Sequence, residues 1–210
     1  MEKSNDDNPL VWIDAACADL GESLVRRFSC ACCRRNWHLI DDDRVWHAIE
    51  VAERYAQADA TLDELDHAQA DVSDALEERA TEEWEAEADA NFGYTADSCE
   101  IAARLYATEA AWYAVSRDMS NPDPDPHLAF PEPRKHSSWY WAAAAVEEIA
   151  RSEALRWFEQ SRCTDDEVYM ATVSSAQPHR VAEHREQFRI LEQLLGDAGP
   201  TGRGPEGEPT

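Results

Sequence analysis

Apolar residues recur at helical spacing along almost the whole chain, and this periodicity leaves little room for anything but helix. Ile101, Leu105, Thr108, Trp112 and Val115 follow one another at intervals of four, three, four and three. That is the stripe one face of an α-helix presents to a core. Leu65, Ala68, Val72, Leu76, Ala80 and Trp84 form a second stripe, and Val45, Ile49, Ala52 and Ala56 a third. Leu24, Phe28, Cys32 and Leu39 give a fourth. Alternating runs rich in Val, Ile and Thr, which strands favour, are absent. Ala, Glu, Arg and Leu dominate instead and favour helix. The expected fold class is all-α.

Start and stop signals divide the chain. Asn8-Pro9 reads as a cap and first helical residue, opening a helix over about 9–20 that Gly21 ends. Helices follow over about 22–39 and 43–58, separated by Asp41-Asp42-Asp43. Thr61 to Glu64 is a capping box for a long helix to about residue 88. A turn at Asn91-Phe92-Gly93 precedes a second cap, Asp97 with Glu100. Five prolines between Pro122 and Pro133 forbid helix, so 121–133 is an interhelical loop. Helix resumes over about 138–161, with Trp139, Ala143, Val146, Ala150 and Trp157 inward. Thr164 with Glu167 opens a short helix. Pro178 suits the first turn of a last one over about 178–195, with Val181, Phe188, Leu191 and Leu195 inward. The architecture expected is a single bundle of six to eight helices over 1–196, with 197–210 a disordered tail.

Several function classes are disfavoured. No run of about 18 apolar residues is present, so no membrane span is expected. The acidic start lacks the basic-then-apolar pattern of a secretory signal. Three of the six cysteines crowd into Cys30, Cys32 and Cys33, which is no disulfide framework. A reducing cytoplasm is the expected setting. The formal net charge of −25 argues against binding a nucleic-acid backbone and permits a basic protein partner. The charge is uneven. From Asp59 to Glu100 there are 15 Asp and Glu against one Arg, Arg79, while residues 22–58 balance at six against six.

One segment resembles a known family. Phe28-Ser29-Cys30-Ala31-Cys32-Cys33-Arg34-Arg35-Asn36-Trp37-His38-Leu39-Ile40, then Ala48-Ile49-Glu50-Val51-Ala52-Glu53-Arg54-Tyr55-Ala56, is similar to the pattern F-x-C-A-C-C-R-R-x-W-H-L-L and R-A-V-E-V-A-E-R-Y-A of a family of bacterial helical proteins. Gln187 to Gly196 looks like that family's closing segment. Asn36 departs from the pattern, standing where an apolar residue is usual. The resemblance implies a helical architecture and a bacterial source, and it implies no reaction.

Four groups are candidate sites. Cys30 and Cys33 lie three apart on a helix and can start a zinc site that Cys17 or His38 could complete; Arg34 and Arg35 would favour the thiolates. Close packing of small residues is the plainer reading. Arg34, Arg35 and Trp37 are residue types that anchor interfaces, unless an Arg pairs internally with Asp41–Asp43 or Glu50. Glu82, Glu83, Trp84, Glu85 and Glu87 form an acidic docking surface or a solvated face. Trp139 and Trp141 cannot share one face of a helix, so one of them is expected at a contact surface. Glu64 with His67 is half of a di-iron motif whose second half is missing, and Glu183 with His184 is expected on the solvent-facing side of an amphipathic helix. No phosphate loop or nucleophile motif is present. The leading expectation is a non-enzymatic acidic accessory or regulatory protein docking a basic partner. A metal-thiolate protein and a helical enzyme without a recognisable motif are the alternatives.

Overall fold

The computed structural model describes residues 20–89, 95–117, 137–161 and 165–197, with residue 13 and residues 16–18 ahead of them. Among these residues there are six α-helices with described bounds, helical residues 13 and 16–18 ahead of them, one 3-10 turn and no strand, which makes the protein an all-α multi-helix bundle. We label the helices α1 (Glu22–Arg35), α2 (Asp43–Ala56), α3 (Leu62–Asp89), α4 (Ala96–Val115), α5 (Ser138–Ser161) and α6 (Asp165–Asp197). Of the expected helix over 9–20, residues 13 and 16–18 are described and are helical, with Ile13 and Cys17 in the core; its other residues up to 19, the turn at 91–93, the Pro-rich loop, the Thr164 cap and the tail beyond Asp197 lie outside the described residues.

Local chemistry explains most boundaries. Gly21 follows the helical residues 16–18, as expected of a helix stop, and also starts α1, where its carbonyl accepts from the Leu24 and Val25 N–H groups. The helix expected over 22–39 stops at Arg35 and tightens into a 3-10 turn, Trp37–Leu39. Asn36 makes the break: its Nδ2 donates to the Ala142 carbonyl of α5 at 2.6 Å, and that bond satisfies a buried polar side chain. Asp42 caps α2 by accepting from the Arg44 N–H at 2.8 Å. Helix α2 ends in a Schellman turn, with Asp59 N–H to Arg54 carbonyl at 2.8 Å and Ala58 in the left-handed region at φ 62°. The capping box at α3 forms as expected: Thr61 Oγ1 accepts from the Glu64 N–H, and Glu64 accepts from the Thr61 N–H. At α4 the cap sits two residues earlier than expected. Thr95 and Ser98 form the reciprocal box, while Asp97 is exposed and faces Arg156. Helix α6 runs unbroken through Pro178. Ser174 and Pro178 are both exposed, so the carbonyl left without a donor lies on the solvent side.

Successive helices run antiparallel. Arg44 reaches Glu78 while Arg54 reaches Glu64, which pairs α2 with α3. Trp112 donates to Ser73 and Arg117 faces Asp66, pairing α3 with α4. Ser152 donates to Glu100 while Tyr106 packs on Trp141, pairing α4 with α5. Arg180 donates to Glu147 while Gln187 donates to the Trp139 carbonyl, pairing α5 with α6. Helix α4 is the central element, in contact with α1, α2, α3 and α5. Its alanines Ala102, Ala103, Ala107, Ala110, Ala111 and Ala114 are buried around the helix, which lets neighbours approach closely on every side. Arg26 of α1, with no exposed surface, donates to the carbonyls of Ala114 and Ser116 at the end of α4, where a cation is favoured. No helix among the described residues is long and apolar enough to cross a membrane.

Candidate interaction surface

The second stripe read from the sequence leaves the core halfway along α3. Leu65, Ala68, Val72 and Ala75 are buried, Leu76 is half-buried, and Ala80 is exposed. Trp84, expected inward, is 67% exposed, the highest value among the large hydrophobic side chains of the described residues. Ala80, Trp84 and Ala88 lie four apart, so they form an exposed apolar ridge on one side of the helix. Acids flank it. Glu82 and Glu85 are exposed, and Glu83 is half-buried. The side chain of Glu87 lies outside the described residues.

Part of the acidic charge of α3 is answered from α2 and from α3 itself. Arg44 holds both Asp42 and Glu78, and Arg54 reaches Glu64. Arg79 bonds Asp41 and Glu82. Asp71, Asp74, Glu77 and Glu85 make no ion pair with a described residue. The outer half of α3 therefore combines an exposed Trp, two exposed Ala and an excess of carboxylates. Next to it, on α4, Glu109 keeps one carboxyl oxygen enclosed with no hydrogen-bond partner. Burial, helped by the nearby Glu83, pushes its carboxyl up to about 8.

The other candidate groups turn inward. Cys17, Cys30, Cys32 and Cys33 are all buried in the main core, and Cys30, Cys32, Cys33 and Cys99 are in no disulfide. Burial raises the Cys30 thiol to about 12 and raises Cys32 and Cys33 well above the ordinary thiol value; the opposing pull of Arg34 and Arg35 is smaller. Thiols so raised stay protonated at neutral pH. His38 is exposed, while the thiols are buried. Among the described residues no three His, Cys, Asp or Glu side chains are grouped to hold a metal ion, so the set of Cys17, Cys30, Cys33 and His38 is not assembled.

Arg34 and Arg35 are occupied by internal forks, with partners other than those expected. Arg34 Nε and Nη2 donate to Glu53 at 2.9 and 2.7 Å, and Arg35 Nε and Nη2 donate to Glu183 at 2.7 and 2.8 Å. The Arg34 guanidinium also lies 4.0 Å over the Trp37 ring, and Trp37 stacks on Trp46 at 5.0 Å. Neither Trp139 nor Trp141 stands out on the surface. Trp139 packs on Phe28 of α1 at 5.4 Å and Trp141 on Tyr106 of α4 at 5.1 Å. Both can turn inward because α5 has neighbours on two sides. Trp157, expected inward, is instead 60% exposed.

Glu183 and His184 correct the surface reading of α6. They are 5% and 4% exposed, and Gln187 is fully buried. Glu183 accepts the Arg35 fork. His184 Nδ1–H donates to Gln187 Oε1 at 3.1 Å, and Gln187 Nε2 donates on to the Trp139 carbonyl. Desolvation lowers the His184 imidazole to about 4. The missed signal is the spacing of Glu183, Gln187 and Leu191, one inward stripe with polar members. Val181, Phe188 and Leu195 masked it by suggesting a purely apolar one. Comparison of the chain with family models, curated proteins and solved structures finds no match.

Proposed function

We propose that this protein is a non-enzymatic accessory or regulatory subunit of the cytoplasm that docks a basic protein through the outer half of α3. The observation that carries the reading is Trp84, exposed on an apolar ridge among Glu82, Glu83 and Glu85. Burying so large a ring is favourable by about 1.5–3 kcal/mol, and a folding core leaves that gain unused here. Trp is the side chain most often found to dominate an interface. Carboxylates around an apolar anchor select a partner of opposite charge and steer its approach. The reducing setting agrees with the buried thiols of Cys30, Cys32, Cys33 and Cys99, none of them in a disulfide.

The test is capture from native extract on immobilised wild type, W84A and the charge reversal E82K/E83K/E85K, at low and raised salt. A basic protein retained by wild type should bind W84A at least about tenfold more weakly. It should be lost from the charge reversal and elute as salt rises. Equal retention by all three proteins would remove the reading.

A further inference from the structure

Beside the exposed ridge of α3 lies an acid that the fold leaves without a donor. Trp112 donates to Ser73 and Arg117 faces Asp66, and this antiparallel register sets Glu109 of α4 level with Leu76 of α3. Ala80, where the exposed ridge begins, follows Leu76 by one turn, about 6 Å along the axis. Ser73, Ala80 and Trp84 fall on one side of α3, so the ridge continues the flank that Trp112 touches. Glu109 therefore stands at the inner end of the ridge.

Its surroundings supply no positive charge. Oε2 of Glu109 is enclosed without a hydrogen-bond partner, while the residue as a whole is only half-buried. The contacts of Ser152 with Glu100 and of Trp141 with Tyr106 bring residues 138–143 of α5 to this level, and none of them is charged. Their one titratable side chain, Tyr140, lies under Arg180 of α6. On α4 itself the residues one turn away, Leu105, Tyr106, Trp112 and Tyr113, carry no charge at neutral pH. The cation that α1 sends to α4, Arg26, is spent on the carbonyls of Ala114 and Ser116. From α3 comes Glu83, whose negative charge is the one that acts on Glu109.

An enclosed carboxyl with a like charge beside it and no donor is held neutral. Glu109 is pushed up to about 8 for these reasons, so it keeps its proton in the free protein at pH 7. A cation arriving from solvent removes both causes, since it brings N–H donors and an opposite charge. We propose that docking of the basic partner is proton-coupled: a guanidinium or ammonium of the partner seats against Glu83 and Glu109, the Glu109 O–H bond breaks with its electron pair left on oxygen, and the proton passes to solvent. The proposal rests on the docking reading of α3 and gives that same face a regulation by pH. Because docking releases a proton, affinity rises with pH up to the free-state value near 8 and levels off above it.

The probe is a capped tetra-arginine peptide, whose own charge stays fixed across the range used. Calorimetric titration at low salt, in two buffers of different ionisation heat, counts the protons released. Wild type should release about one proton per bound peptide at pH 7 and bind about fivefold more tightly at pH 8 than at pH 7. E109Q has no proton to lose there, so it should release none and bind alike at both. W84A should bind more weakly and still release the proton. Release equal in wild type and E109Q, no release from wild type, or no binding at low salt each overturns the proposal. W84A-sensitive capture from extract without proton release leaves the docking face standing and removes the coupling. Glu109-dependent release with no W84A-sensitive partner in extract leaves the coupling standing and removes the docking face.

Discussion

At the residue scale, His184 and Glu109 pull stability in opposite directions with pH. His184 has an ordinary value of 6.5, lowered by burial to about 4. As pH falls through 6.5 the unfolded chain takes up this proton and the folded chain does not, so stability drops until about pH 4. The slope reaches about 1.4 kcal/mol per pH unit and the total is roughly 3 kcal/mol. Glu109 behaves in the reverse sense. Its ordinary value is 4.5 and burial raises it to about 8. The unfolded chain gives up the proton near 4.5 and the folded chain keeps it, so stability falls as pH rises from 4.5 toward 8. Urea unfolding across a pH series separates the two. H184N should lose the decline below pH 6.5. E109Q should gain on wild type steadily as pH rises, by up to about 1.4 kcal/mol per unit, and gain nothing below pH 4.5. A wild-type advantage over E109Q at pH 8 would contradict the assignment.

At the scale of single helices, ends decide more than interiors. Helix α2 closes with Ala58 at φ 62°, a conformation that a Cβ disfavours by about 1–2 kcal/mol. Glycine removes that strain at a smaller entropic cost to the unfolded chain. A58G should therefore raise stability by about 1 kcal/mol, read as a shift of the denaturant midpoint with unchanged slope. No shift, or a lower midpoint, would show that the turn carries no strain. The same end explains why the sequence placed α2's boundary two residues late. With no glycine to mark the stop, alanines at Ala56, Ala58 and Ala60 read as continued helix. Helix α1 ends for a different reason. Asn36 leaves the helix to bond a carbonyl on α5, a partner more than a hundred positions away.

At the scale of the whole molecule, α1 and α6 are joined by a charged fork. Arg35 of α1 meets Glu183 of α6, whose carboxylate is almost wholly enclosed. Removing the Arg strands that carboxylate in the interior. R35A should cost about 2–3 kcal/mol, below the full range for a buried pair because Arg35 is about a third exposed. R35L/E183L should recover most of the loss, since two apolar side chains leave no charge unpaired. Chemical unfolding of the four proteins of this double-mutant cycle measures the coupling. A double variant no better than R35A would place the cost in packing instead.

The all-α class, the opening cap of α3 and the concentration of acid on that helix were all determined by sequence, because each depends on spacing or composition within one segment. Periodicity at three and four residues needs no knowledge of neighbours, and neither does a Thr-x-x-Glu box. What lies under each stripe is a property of contacts, and there tertiary structure decided. Trp84 and Trp157 continue inward stripes past the point where neighbours stop covering them, so both emerge into solvent. Glu183, His184 and Gln187 look like a polar face until Arg35 and the Trp139 carbonyl arrive to satisfy them. Trp139 and Trp141 both find cover because α5 is packed on two sides. Burial of a polar group is decided by its partner, and the partners here come from distant parts of the chain.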